Sequence, residues 1–251
     1  MPRIARQKSM SGIYHVMLRG INRQLIFEER QDNEKFLEIL LQCQEISQFK
    51  IYGYCLMGNH LHLLIKVEHE DLNQIFKRIG ARYVYWLNFK YKRCGHLFQD
   101  RFRSEPVEND AYFFTVLRYI HQNPIKAGHC RNLVDYPWSS YREYLTSPSI
   151  TDTSFSLSIM NRQQFIDFNE AQSSDQCLEL PAIVYRLSDE EAMLIIKETC
   201  FTKNASDFQH FDQEKRNSML KALKTCGLSI RQLSRLTGVS KGIIENVWRD
   251  R

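Results

Sequence analysis

His60 and His62 flank a single leucine in GNHLHLL, residues 58–64. Side chains two apart on a β-strand point to the same face, so the two imidazoles aim together while Leu61 and Leu63 turn the other way. Two imidazoles a few ångströms apart form half of a divalent-metal site, and a strand fixes their separation better than a loop does. The spacing equally suits two histidines that only pack or hydrogen-bond on a half-exposed sheet. A third ligand would separate the two readings.

RYIHQNP, residues 118–124, offers one. Tyr119 and Asn123 are four apart on a predicted helix and share a face. The Asn123 carbonyl is an acceptable ligand for a hard cation. Two nitrogens and one oxygen would leave coordination positions open for substrate and water, as a catalytic metal needs. A phenol, with its pKa near 10, is a poor nucleophile at neutral pH. A neighbouring cation favours phenolate and neutralises charge on phosphoryl oxygens. Attack on a phosphodiester would give a phosphotyrosine, which conserves the bond for rejoining. Against this, Tyr112, Phe113, Phe114, Val116, Leu117 and Ile120 make the helix strongly apolar, and Tyr119 could belong to its core.

These residues need a scaffold. Residues 12–19 read as a strand and 32–48 as a helix with Asp32 at its N-cap; residues 50–57 read as a second strand. Gly58-Asn59 signals a tight turn, and a third strand runs from His60 to Val67. A long helix from Asp71 to about Tyr91 follows, then a fourth strand at 96–103. A helix over 109–122 is capped by Asn109 and stopped by Pro124. The order β-α-β-β-α-β plus one helix predicts an α+β, ferredoxin-like split arrangement: an antiparallel sheet with helices on one face and an extra helix carrying Tyr119.

The chain has 251 residues, 43% of them hydrophobic, enough for a core. No apolar run reaches the ~20 residues that span a bilayer, and the basic N-terminus has no apolar stretch of a secretion signal; a cytoplasmic, nucleoid-associated location is expected. Seven scattered cysteines without CxxC spacing argue against zinc ribbons and a disulfide framework. Residues 1–145 carry 21 Lys and Arg against 15 Asp and Glu, residues 146–213 carry 4 against 11, and residues 214–251 carry 9 against 3. The basic blocks suit a polyanion. The expected domains are 1–146, a partly helical linker 147–180, and a helical region 181–251. Within the last, residues 214–248 show a helix-turn-helix pattern: Ser229 with Gln232 as a capping box, Gly238 at the turn, and Ile243, Ile244 and Val247 facing inward. Lys241, Glu245, Asn246 and Arg249 would be exposed, and the second helix of such a motif usually enters a DNA major groove.

GNHLHLL resembles the HUH motif: His, a hydrophobic residue, His. RYIHQNPIKAG resembles the tyrosine helix of single-tyrosine HUH transposases. FQDRFRSEPVEND, YPWSSYREYL and YHVMLRGINRQLIF resemble the flanking blocks of one branch, the REP-associated tyrosine transposases, in the right order over roughly residues 10–146. The resemblance implies a metal-dependent single-stranded DNA endonuclease and strand transferase that uses Mg²⁺ or Mn²⁺. It would cut beside hairpins of REP type to leave a 5′-phosphotyrosine link and a free 3′-hydroxyl. Carried over by position, His60 and His62 match the metal ligands, Tyr119 the nucleophile and Asn123 the polar helix residue beside the metal. Related transposases carry the longer Gln there.

Arg19 and Arg23 flank the loop after the first strand, and Arg101 and Arg103 share a face of the predicted fourth strand; all four could hold backbone phosphates. Lys241, Asn246 and Arg249 would add duplex DNA binding. A monomer and a homodimer both fit the sequence. The competing reading is a non-catalytic DNA-binding regulator on the same scaffold; a replication-type relaxase would need larger additional domains.

Overall fold

The computed structural model describes residues 6–99, 101–175, 177–178, 189–201, 208, 211–226 and 228–249. The chain divides into two compact units, residues 1–179 and 180–251.

In the first unit, β1 (Ile13–Arg19) leads through a 3-10 turn (Ile21–Arg23) to α1 (Arg30–Ser47). Then come β2 (Lys50–Met57), β3 (His60–Lys66), α2 (Leu72–Lys90), β4 (Arg103–Pro106) and α3 (Asp110–Lys126). The four strands form one sheet in the order β2-β3-β1-β4, with every pairing antiparallel. Gly58 and Asn59 make the two-residue turn, and Met57 sits opposite His60.

The helices lie on both faces of the sheet, where one face was expected. Leu61 and Leu63 bury with Val16, Leu18 and the apolar sides of α1 and α2. The opposite face buries Cys55, Met57 and Leu64 against Phe113, Val116, Leu117 and Ile120 of α3. A single strand satisfies both layers because its side chains alternate. Gly53 lets α3 approach the sheet: a Cβ there would stand 2.6 Å from Leu117 Cδ1.

Three local expectations shift. Glu29, not Asp32, caps α1, and Asp32 closes the capping box from the third helical position. Fully buried, Asp32 accepts from the backbone N–H groups of Glu28 and Glu29, from Tyr91 and from Lys90, the last at 2.6 Å. Burial pushes its carboxyl up, and these donors more than reverse that. The fourth strand starts at Arg103; the segment before it anchors Leu97 and Phe102 in the core and pairs with the end of β1 through an isolated Gly20–Phe98 bridge. Finally, Pro124 lies inside α3. Its missing N–H removes one helical bond near the helix end, and the turn still closes through Ala127 N–H to Asn123 O at 2.9 Å, so Asn123 stays on the helix of Tyr119.

Residues 147–170, expected as linker, are part of the first unit. α5 (Ser154–Ile159) and α6 (Arg162–Glu170) follow the short α4 (Tyr141–Leu145), and Phe165 of α6 stacks on Tyr144 with ring centroids 4.1 Å apart. The WSSY segment covers the outer edge of β2: Leu56 N–H donates to Trp138 O, and Ser140 N–H to Tyr54 O.

The second unit holds α7 (Asp189–Cys200), α8 (Gln213–Thr225), α9 (Ile230–Thr237) and α10 (Lys241–Arg249). They bury Ile196, Leu220, Leu233, Ile244 and Val247 together. Ser229 caps α9 by accepting from Gln232 N–H, and Gly238 closes it at φ 72°. The Gln232 side chain bonds Asp189, so it serves a second helix. Ile243 is 36% exposed, not inward-facing: one turn of α10 has a single buried row, and Ile244 fills it. No described helix is long and apolar enough to cross a membrane.

Candidate active site

β3 presents His60 and His62 on the α3 side of the sheet, with ring centroids 5.2 Å apart and planes at 87°. Met17 of β1 pairs with His62 and Arg19 with His60, which sets Arg19 across from the outer imidazole. The phenol ring of Tyr119 packs edge-on to His62 at 5.6 Å. The Asn123 side chain reaches the His60 ring closely enough to act on its protonation, and its Nδ2 donates to Tyr119 O at 3.3 Å. The four residues that the sequence singles out therefore meet, with two from a strand and two from a helix one turn apart.

The environment decides the protonation of the pair. Burial, then the charge of Arg19, pushes the His60 imidazolium down to about 4, against the opposing bond to Asn123. Burial, then His15 and His60, pushes His62 well below the ordinary range. Both rings are neutral at physiological pH, the form that ligates a metal. His60 donates from Nδ1 to Asn59 Oδ1 at 2.7 Å. The donor set is two imidazoles and a carboxamide, which suits a divalent cation with open positions. No group of three or more His, Cys, Asp or Glu among the described residues is placed to hold a metal; Asn123 is the oxygen ligand that the sequence offers beside the two imidazoles.

Tyr119 is only 3% exposed. It lies between the apolar core of α3 and the histidines, and Lys126 Nζ stands 5.1 Å above its ring. Tyr119 is thus buried with the apolar cluster of α3, while its ring packs against His62. Gln122, the residue before Asn123, turns away from the histidines and donates to Asn169 O and Ala171 O, each at 2.8 Å.

Sequence reasoning missed His15 and Glu105. His15 is fully buried on β1, with Nε2 2.9 Å from His62 Nδ1 and Nδ1 2.8 Å from Glu105 Oε1. Its ring centroid lies 5.1 Å from that of His62 and 5.8 Å from that of Tyr119. His15 and Glu105 pair directly across β1 and β4. His15 lies on the first strand as expected, but Glu105 lies beyond the strand expected at 96–103, and the register that joins the two is a tertiary property.

Of the expected DNA contacts, Arg103 is exposed at the start of β4 and Arg101 exposed just before it, so the two do not share a strand face. Arg23 lies in the 3-10 turn; its side chain falls outside the described residues. Lys241, Asn246 and Arg249 are exposed on α10. The basic cluster on α2 is partly spent internally: Arg78 forms a forked ion pair with Glu70, at 2.6 and 2.8 Å, and Lys90 pairs with Asp32. Tyr83 is buried and donates to Ile26 O.

A buried histidine next to the site makes a stability prediction. His121 is 1% exposed, with Nδ1 2.8 Å from Asn169 Oδ1 and Nε2 2.9 Å from Ser140 Oγ. Burial lowers its pKa from 6.5 to about 4, the Asn169 bond opposing. Between those values the unfolded chain binds a proton that the folded chain refuses. The contribution is fully present above pH 6.5 and is lost as pH falls towards 4, at up to about 1.4 kcal/mol per pH unit. Urea melts of the full chain are expected to show lower stability at pH 5 than at pH 7, and His121→Gln is expected to flatten that dependence.

Residues 8–123 match the IS200-like transposase family. A Haemophilus influenzae protein assigned to the REP-associated tyrosine transposases is 24% identical over 119 residues, covering 43% of this chain and 67% of that protein. A solved REP-associated tyrosine transposase bound to a REP hairpin shares the fold, with a TM-score of 0.52 at 16% identity, covering 61% of this chain and 96% of that one.

Proposed function

We propose, from the premise that residues 8–123 belong to the IS200-like transposase family, that this chain nicks and rejoins single-stranded DNA through Tyr119. The observation that carries the reading is the meeting of His60, His62, Asn123 and Tyr119 in one site. The first unit serves as a ferredoxin-like nuclease scaffold, and hairpin DNA of the REP type is the substrate class that the relatives point to.

In this reading the Tyr119 hydroxyl oxygen attacks a backbone phosphorus. The P–O3′ bond breaks, the 3′-hydroxyl leaves with a proton, and the 5′ end remains on the tyrosine. The 3′-hydroxyl of the same or another strand reverses the step. His60, His62 and Asn123 would hold Mg²⁺ or Mn²⁺, which when bound supplies charge neutralisation at the phosphoryl oxygens. Burial keeps both imidazoles unprotonated for that role. Arg19, across the sheet from His60, and Arg103 offer guanidinium groups to the backbone on either side. The apolar collar around Tyr119 excludes water, which favours transfer to a strand end over hydrolysis.

The test is direct. Mixed with Mn²⁺ and labelled hairpin DNA carrying a single-stranded tail, then denatured, the protein is expected to keep the label covalently. Hairpin retention without any covalent label, over tails of varied sequence, would instead establish a DNA-binding regulator.

The second unit extends the reading to duplex DNA. α10 exposes Lys241, Asn246 and Arg249 on the side away from Ile244 and Val247, as the reading helix of a helix-turn-helix does. Lys241→Ala is expected to weaken duplex retention by the full chain and lower its salt dependence by about one unit of slope, with hairpin cleavage unchanged. Equal retention by the variant would remove α10 from DNA binding.

A further inference from the structure

Behind the four site residues runs a hydrogen-bonded line, Glu105–His15–His62. Both ring nitrogens of His15 are spent, one on each neighbour, so His15 can neither ligate a cation nor take a proton from Tyr119. Its remaining capacity is to orient.

With His15 as a neutral ring, the hydrogen bonds assign the protons along the line. A carboxylate only accepts, so His15 Nδ1 carries the proton and donates to Glu105 Oε1. In a neutral ring Nε2 is then the bare nitrogen, and it accepts from His62 Nδ1–H. That leaves His62 Nε2 as the bare nitrogen, on the atom not already bonded. Each link is short, 2.8 and 2.9 Å, and the middle ring is fully buried, so water cannot replace either partner. Glu105 is anchored in turn: Leu178 N–H donates to the same Oε1 at 3.0 Å, and Tyr112 adds a side-chain hydrogen bond. Burial pushes the Glu105 carboxyl up, but these donors, His15 first, outweigh it and hold it below its ordinary value.

We propose that Glu105 and His15 are positioning residues that lock His62 in its Nδ1–H tautomer, so that Nε2 is presented as the ligand to a divalent cation. This rests on the metal-dependent reading above and adds a named second layer to it. Outer partners of metal-bound histidines commonly set ring orientation and basicity, and their loss costs about ten- to hundredfold in metal affinity. The pair also links β4 and the 177–178 backbone to the site, since Glu105 holds His15 on one side and Leu178 N–H on the other.

The experiment uses the full chain labelled with ¹⁵N-histidine, without metal, and identifies the His62 signals by their loss in His62→Gln. Wild type is expected to show a single His62 tautomer with bare Nε2. In Glu105→Ala and in His15→Phe the His62 signals are expected to move towards a tautomer mixture, and the Mn²⁺ affinity read by electron paramagnetic resonance to fall about ten- to hundredfold. Circular dichroism monitors folding. His15→Phe fills the buried volume, while Glu105→Ala acts at a partly exposed position, so one variant tests the proposal if the other unfolds. A wild-type His62 protonated at Nε2, or an unchanged tautomer and unchanged Mn²⁺ affinity in a folded Glu105→Ala, overturns the proposal. Wild type that shows the expected tautomer but binds no Mn²⁺ would sink the metal-dependent reading instead and leave the positioning result standing.

Discussion

Tyr119→Phe is expected to abolish the covalent protein–DNA adduct, on the order of 10⁴-fold or more as for other lost nucleophiles, while hairpin retention persists. The variant keeps the ring that packs on His15 and His62 at 5.8 and 5.6 Å and the buried surface it shares with α3. It removes one hydroxyl, at about 0.5–1.5 kcal/mol for a hydrogen bond, well within what a domain tolerates. A lost adduct in a folded protein therefore reports chemistry. An adduct that survives would place the nucleophile elsewhere and reduce Tyr119 to a core residue.

The second large effect is expected from His60→Ala: cleavage in Mn²⁺ falls by at least about a hundredfold, with hairpin retention nearly unchanged. His60 is the better choice of the two histidines. It is half-buried at the start of β3, and its partners are Asn59 and Asn123, both able to turn to water. Removing His62 instead would strand the fully buried His15 Nε2, at about 1–3 kcal/mol for an unsatisfied polar group, and would confuse folding with catalysis. Retention is expected to persist because the phosphate contact proposed for Arg103 does not run through His60, whose partners are Asn59 and Asn123. Filter retention and adduct formation, read on the same protein, separate the outcomes; parallel loss of both would make His60 a structural residue.

Much of this was written locally. HLHLLIK alternates with period two, so its histidines must share a face wherever the strand lies. Gly58-Asn59 fixes the hairpin, and the registration of Met57 with His60 follows from a two-residue turn. Tyr119 and Asn123 are one helical turn apart, and their meeting with one face of β3 needs only that α3 pack on that side. What misled local reasoning has a common cause. Pro124 costs a helix one hydrogen bond near its end, which packing outweighs, and the 96–102 segment is apolar because it covers a core, without being a strand. Residues 147–170 are polar on average but carry Phe165, which buries completely.

The sequence by itself determined which groups could do chemistry and how each is spaced along its own element, because helix and strand periods are properties of the backbone. Only the tertiary structure decided that His15 and Glu105 stand behind His62, that Tyr119 is sheltered at 3% exposure, and that helices cover both faces of the sheet. Those facts depend on which strands become neighbours, β1 between β3 and β4, and strand neighbours are chosen by long-range packing of whole layers, a quantity that no short window of residues encodes.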